Sequence, residues 1–167
     1  NAVADVPVTY EEGLSGMAAR LSQETPIRLP YEAFGLTDKG PWTVSYWVKQ
    51  EGSLNDRCSV LATEDDLFGF DLKLTSEPDS VGGVHVGATD ADILSAVYSF
   101  TSNEWYHITW TQDPAVGITM YVNGEKADDA NAWTIGAENT FHAPVQKIGG
   151  VGFDGLVDEV KIYSKVL

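Results

Sequence analysis

The chain has one cysteine, Cys58, and ten Lys and Arg against 25 Asp and Glu. A lone cysteine excludes an internal disulfide, so burial and hydrogen bonding must hold the fold together. It does not fix the compartment, because secreted bacterial domains often lack disulfides. The shortage of cations leaves a formal net charge of −15. That excludes nucleic acid and anionic membrane as partners, since both need a basic face. No apolar run approaches the roughly 18 residues that a membrane-spanning helix needs, which excludes insertion by a helix. There is no Asn-x-Ser/Thr acceptor and no Gly-x-Ser-x-Gly nucleophile elbow. The three histidines, His85, His107 and His142, lack metal-ligand spacing. The opening residues have neither the basic segment nor the apolar segment of a signal peptide, and Asn1-Ala2 reads as the scar of an expression tag.

What is present suits a packed core. Hydrophobic residues make up 43% and charged residues 21% of the 167, which excludes disorder. A chain of this length buries about two-thirds of its unfolded surface, and residues 1–167 read as a single domain. Apolar segments are short and alternate with period two. Examples are Trp42–Val48, Phe68–Leu74, Val84–Val86, Trp105–Thr111, Ile118–Val122 and Leu156–Tyr163. Such runs are half-buried strands. Turn signals separate them: Asn123-Gly124 is a strong hairpin signal, and Asp113–Gly117, Pro78-Asp79, Gly82-Gly83 and Gly149-Gly150 punctuate the rest. The pattern predicts ten or eleven strands in an all-β, two-sheet antiparallel sandwich. Helix is expected at most as one turn within Tyr10–Arg20. Cys58, inside the apolar run Cys58–Ala62, reads as a small buried hydrophobe.

Three segments taken together resemble a known family. PWTVSYWVK at 41–49 resembles the early strand of laminin-G-like jelly rolls, and NEWYHITWTQDPAVGITMYVNGEKA at 103–127 resembles their central hairpin. KIGGVGFDGLVDEVKIYSKVL at 147–167 resembles their closing strand. Their order and spacing hold from about residue 13 to the end, so the chain resembles a laminin-G-like, concanavalin A-like jelly roll. That resemblance speaks to fold more than to ligand. It implies a non-catalytic, carbohydrate-binding accessory module on a larger secreted, bacterial glycan-processing protein, the parent being a glycoside hydrolase. Its partners would be a polysaccharide or glycoconjugate and the parent's flanking domains, and its location extracellular or at the cell surface. Two alternatives stay open: an extracellular protein-binding or adhesion domain, and a structural spacer. Pentraxins are distant relatives, but the segment that carries their acidic calcium ligands is reduced here to Gly149–Gly155.

Enzymes of this superfamily set carboxylates as Glu-x-Asp-x-x-Glu on one strand, about 5 Å apart across a cleft. That pattern is missing, and the adjacent Asp158 and Glu159 point to opposite faces of a strand. Asp158 shares the phase of Val160 and Ile162, which predicts a core-side carboxylate. It would either accept backbone hydrogen bonds or bind a structural calcium, which the resemblance places between the first and last strands. Glu24 and its neighbours from Ser22 would then complete the calcium site. The acidic stretches Glu64–Asp66, Asp90–Asp92 and Asp128-Asp129 are rival cation sites or plain solvated segments.

Aromatics divide by phase. Val44, Tyr46, Val48, Ile108, Trp110, Met120 and Val122 form the core phase, whereas Trp47, Asp71, Lys73, His85, His107 and Tyr121 lie on the other. Trp47 and His107 form either a stacking platform for a sugar ring or a second small core under loops. Trp133 is the strongest candidate for an exposed stacking residue, with Tyr98, Phe141 and His142 as further carbohydrate-binding candidates. Phe100 reads as rim packing.

Overall fold

The structure, a computed structural model, describes residues 3–4, 6–30, 40–54, 57–64, 66, 68–73, 81–86, 93–131 and 146–167. Among them are fifteen strands and no helix. One sheet runs β1 (Val3–Ala4), β4 (Ile27–Arg28), β14 (Lys147–Ile148), β6 (Cys58–Ala62), β7 (Phe68–Lys73), β8 (Val81–Val86), β9 (Ile93–Ser99) and β13 (Asp128–Asn131) from edge to edge. The other runs β12 (Glu125–Lys126), β11 (Gly117–Val122), β10 (Tyr106–Asp113), β5 (Trp42–Gln50), β15 (Asp154–Tyr163), β3 (Met17–Ser22) and β2 (Thr9–Glu12). Pairing is antiparallel in both sheets. The expected all-β sandwich is therefore what forms. The strand number exceeds ten or eleven because four two-residue strands are too short to leave an alternation.

The core lies between the sheets. Val44, Tyr46 and Val48 of β5, Ile108 and Trp110 of β10, and Met120 and Val122 of β11 are all at most 3% exposed, as their phase predicts. Phe70 of β7 meets them from the other sheet, with ring centroids 5.6 Å from Trp42 and 5.3 Å from Trp110. Those ring pairs add specific geometry to the burial of large apolar area. Trp110 Nε1 donates to Tyr46 Oη at 3.3 Å, so the buried indole N–H is satisfied. Cys58 is fully buried.

The one expected helical turn is corrected. Residues 10–20 form a hairpin, β2 pairing β3 with Tyr10 opposite Ala19. Gly13 and Gly16 interrupt any helical run, and Ala19 and Leu21 alternate into the core. The Asn123-Gly124 signal holds: both residues have positive φ, 52° and 85°, as the mirror-image two-residue turn between β11 and β12 requires.

Gly155, the second residue of β15 and the last of the Gly-rich run, shows why glycine is needed there. A Cβ there would lie 2.1 Å from the Lys49 carbonyl oxygen of β5, so the two strands can approach only over a bare Cα. Gly124, by contrast, has open space around it. Gly155→Ala is expected to destabilise the chain by about 3 kcal/mol or more, and Gly124→Ala by about 1 kcal/mol of backbone strain. Urea unfolding of both variants checks this; equal costs would place the β5–β15 approach wrongly.

Candidate functional site

Because β5 turns Val44, Tyr46 and Val48 inward, it turns Ser45, Trp47 and Lys49 outward. The registers extend that outer face across the sheet. His107 of β10 and Asp158 of β15 stand on either side of Trp47. In the next row, Tyr121, Thr109, Ser45 and Lys161 lie side by side, with Lys126 beyond Tyr121. Trp47, His107 and Tyr121 are half-buried.

The centre is held rigid by hydrogen bonds. The Trp47 and His107 rings lie 5.0 Å apart, tilted by 45°. Ser45 Oγ and His107 Nε2 share a hydrogen bond of 2.8 Å. The His107 N–H donates to Asn123 Oδ1 at 2.9 Å and its carbonyl accepts from the Asn123 N–H at 2.8 Å, so the tight turn fixes β10 at the histidine. Burial lowers the His107 pKa from its usual 6.5, and the Lys161 charge adds to this.

Among the described residues, two structures bound this stretch. At one end the last residues lie on Thr43, whose Oγ1 donates to the Lys165 carbonyl at 2.9 Å and accepts from the Leu167 N–H at 3.1 Å. At the other, Leu156 points outward yet is 1% exposed, between Arg20 and Lys49 in the neighbouring strands. Their aliphatic stems cover it, while their charges meet carboxylates. Arg20 pairs with Glu51, with Asp154 at 3.2 Å and with Glu11 at 3.7 Å. Lys49 Nζ lies 2.6 Å from Glu51 and 5.8 Å from the centre of the Trp105 ring. Lys49 and Arg20 together hold the Glu51 carboxyl below its usual range.

Asp158 does not share the phase of Val160 and Ile162. The register shifts between Asp158 and Lys161: Asp158 opposes Trp47 and Lys161 opposes Ser45. Glu159 and Val160 therefore share the place opposite Tyr46, and Glu159 takes a φ of 50°. This extra residue is a β-bulge, and it exchanges the two faces. Asp158 thus lies on the outer face, half-buried. Its Oδ1 accepts the Glu159 N–H at 2.8 Å. A Cβ on Gly13 would be 2.8 Å from its Oδ2, so the β2–β3 turn lies over it.

A calcium on Asp158 and Glu24 does not fit. Ser22 stands opposite Asp154, four residues along β15 from Asp158, which separates the two ends by about 13 Å. The Ser22 hydroxyl is engaged in its own turn with Thr25 and the Glu24 N–H. Among the described residues no three His, Cys, Asp or Glu gather as a metal site. Glu64 and Asp66 are ion-paired instead, Glu64 with Arg28 at 2.9 Å and Asp66 with the buried Lys147 at 2.7 Å. Asp65, Asp90 and Asp92 lie outside the described residues.

The other candidates separate. Tyr98 packs on Phe100 and Tyr106, with centroids 4.8 and 5.8 Å away, against the core. It is a packing residue, since its position at the end of β9 brings it to the rim of the sandwich. Trp133, Phe141 and His142 lie outside the described residues. Ser45, Thr109 and Lys161 were not singled out from the sequence. The alternation flanking Trp47 and His107 could have found the first two, but the bulge conceals the third.

Two measurements follow. Asp158→Ala is expected to cost about 1 kcal/mol, one backbone hydrogen bond at the bulge; a loss of several kcal/mol in urea unfolding would restore a buried or metal-bound carboxylate. For His107, the unfolded chain takes up its proton at higher pH than the folded chain. The stability that His107 contributes is therefore lost as pH falls from 6.5 through the lower folded value, and is constant above 6.5. Comparing unfolding from about pH 7 to about pH 5, the His107→Gln variant should lose less stability than the parent chain. Parallel curves would mean that the imidazole is not desolvated.

Against known proteins, the family model described as the concanavalin A-like lectin/glucanases superfamily matches residues 21–167. No curated protein matches the chain by sequence. Among solved structures it is similar to domain 4 of AbnA, a GH43 extracellular arabinanase from Geobacillus stearothermophilus, in complex with arabinotriose. There the TM-score is 0.66 at 18% identity, over 100% of this chain and 82% of that one. It is similar also to the binding domain of Paraclostridial Mosquitocidal Protein 1, with TM-score 0.65 and 19% identity over 100% of this chain and 44% of that one. A sialidase mutant from Trypanosoma rangeli gives 0.62 and 16%, over 98% of this chain and 28% of that one. The two-sheet jelly roll and the match over 21–167 agree: the chain belongs to the concanavalin A-like lectin/glucanases superfamily, as a laminin-G-like module.

Proposed function

We propose that the chain is a non-catalytic carbohydrate-binding module, a single domain over 1–167, of a larger secreted glycan-processing protein. The observation that carries this reading is the half-buried Trp47, braced by His107 on the outer sheet face and flanked by the Ser45 and Thr109 hydroxyls. An aromatic ring packs on the C–H face of a sugar, and neighbouring hydroxyls and imidazole exchange hydrogen bonds with its OH groups. The likeness to an extracellular arabinanase domain and to a sialidase supports a glycoside hydrolase as parent. The missing Glu-x-Asp-x-x-Glu pattern supports a binding role for this module. Weak sites suit such a module, because tethering raises the effective concentration of the attached catalytic domain.

A second reading, a protein-docking module, is favoured by one feature. Tyr10, Leu14 and Met17 of the β2–β3 hairpin are 59%, 52% and 59% exposed, which is much apolar surface for one hairpin.

A glycan array, run with calcium and again with EDTA, decides between them. The expected result is a defined class of bound glycans, lost in Trp47→Ala with the melting temperature unchanged. Loss in Trp133→Ala while Trp47→Ala still binds would move the site to the segment at 132–145. Loss in EDTA would bring calcium back to the site. A blank array in both arms would overturn the carbohydrate reading in favour of the hairpin.

A further inference from the structure

We propose, resting on that reading, that the outer-face site takes a neutral glycan chain rather than an acidic one, laid diagonally across the strands between Trp47 and Tyr121. The first argument is the disposition of charge. Three cations border the Trp47 end of this face, and each is already held by carboxylates; Lys126 stands beyond Tyr121 at the other end. Lys161 Nζ lies 2.7 Å from Glu159, Lys49 Nζ lies 2.6 Å from Glu51, and Arg20 meets Glu51, Asp154 and Glu11. A uronate or sulfate entering here could draw Lys161 away only by leaving the Glu159 carboxylate beside it, with the Asp158 carboxylate flanking Trp47. Like charges at that range repel, and the −15 of the whole chain adds to the repulsion.

What remains at the centre is neutral and matched to hydroxyls. Thr109 offers a hydroxyl that donates and accepts, and the Ser45 hydroxyl, sharing one hydrogen bond with His107 Nε2, keeps its remaining capacity for a ligand. His107 lies in a half-buried setting that disfavours its cationic form. With Nε2 held by Ser45, a neutral imidazole has its other ring nitrogen left for a ligand. This is a set of partners for sugar OH groups rather than for an anion.

The second argument is length. Tyr121 stands opposite Thr109, and Thr109 opposite Ser45, two residues from Trp47. Two strand spacings across and two residues along put the aromatic positions about 12 Å apart. With backbone positions that far apart, a chain of several sugars can engage both rings at once. Thr109, Ser45 and His107 lie between them.

The test is affinity electrophoresis of the 167-residue chain in native gels. One set contains arabinan, galactan or β-glucan; the other contains polygalacturonate, alginate or hyaluronan. Each is run at low and at high salt. Calorimetric titration with the mono-, di- and trisaccharide of a retarding polymer follows. At least one neutral polymer should retard the chain equally at both salt levels, and no acidic one should. Affinity should rise at least about tenfold from monosaccharide to trisaccharide, and Tyr121→Ala should remove that rise while leaving the melting temperature unchanged. Retardation by an acidic polymer that high salt abolishes would overturn the neutral-ligand inference while leaving the carbohydrate reading standing. A monosaccharide bound as tightly as the trisaccharide would overturn the diagonal chain. No retardation by any polymer would overturn the carbohydrate reading itself, and this inference with it.

Discussion

Both faces of the seven-stranded sheet are registered on β5, and β5 has one register open to it. Its inner side chains Trp42, Val44, Tyr46 and Val48 are at most 7% exposed. Fully burying one such side chain is worth about 1.5–3 kcal/mol. A slip by one residue would put Ser45, Trp47 and Lys49 into the sandwich and leave the apolar set in water. The strands on either side, β10 and β15, are fixed against it residue by residue. The outer face is therefore a by-product of the core: Trp47 meets solvent because Tyr46 and Val48 do not.

The bulge in β15 turns that rule to a different use. Without the extra residue, one phase would run the length of the strand, and Asp158 would fall on the side of Ile162. With it, Val157 faces inward opposite Val48, Asp158 outward opposite Trp47, Lys161 outward opposite Ser45 and Ile162 inward opposite Val44. Strand β15 thus keeps apolar residues inside on both halves while placing two charged groups along the open face. The Asp158 carboxylate stabilises the irregularity that made this arrangement, by accepting the Glu159 N–H.

Most of the fold was legible in the sequence because period-two alternation survives wherever one face is buried and the other wet. The Asn123-Gly124 turn was legible for a backbone reason, since few residue pairs accept two positive φ values. The hairpin at 9–22 was not. Its first strand, Thr9–Glu12, is wholly exposed, so no core pressed a pattern on it. Site residues divided in the same way. Trp47 and His107 were legible as a pair on one phase, because β5 and β10 are regular where they cross. Asp158 was misread because a bulge leaves no mark in the order of apolar and polar residues. Tyr98 read as a carbohydrate-binding candidate because its partners, Phe100 and Tyr106, meet it only in three dimensions.

The separation of the two faces bears on how such a module changes its ligand. Residues that fix the register lie inside, and replacing them costs stability directly. Those proposed to meet a ligand lie outside, where half-buried side chains can change at small cost. The outer face is not uniformly permissive, however. Leu156 and Ala18 point outward yet are at most 1% exposed, under the Arg20 and Lys49 stems and the turn at Gly13. Arg20 reaches carboxylates on β2 and β15 and on Glu51 just beyond β5, so changing it would disturb three strands together. On the proposed reading, specificity can therefore drift along the Trp47, Ser45, Thr109 and Tyr121 diagonal without loosening the sheet that presents it.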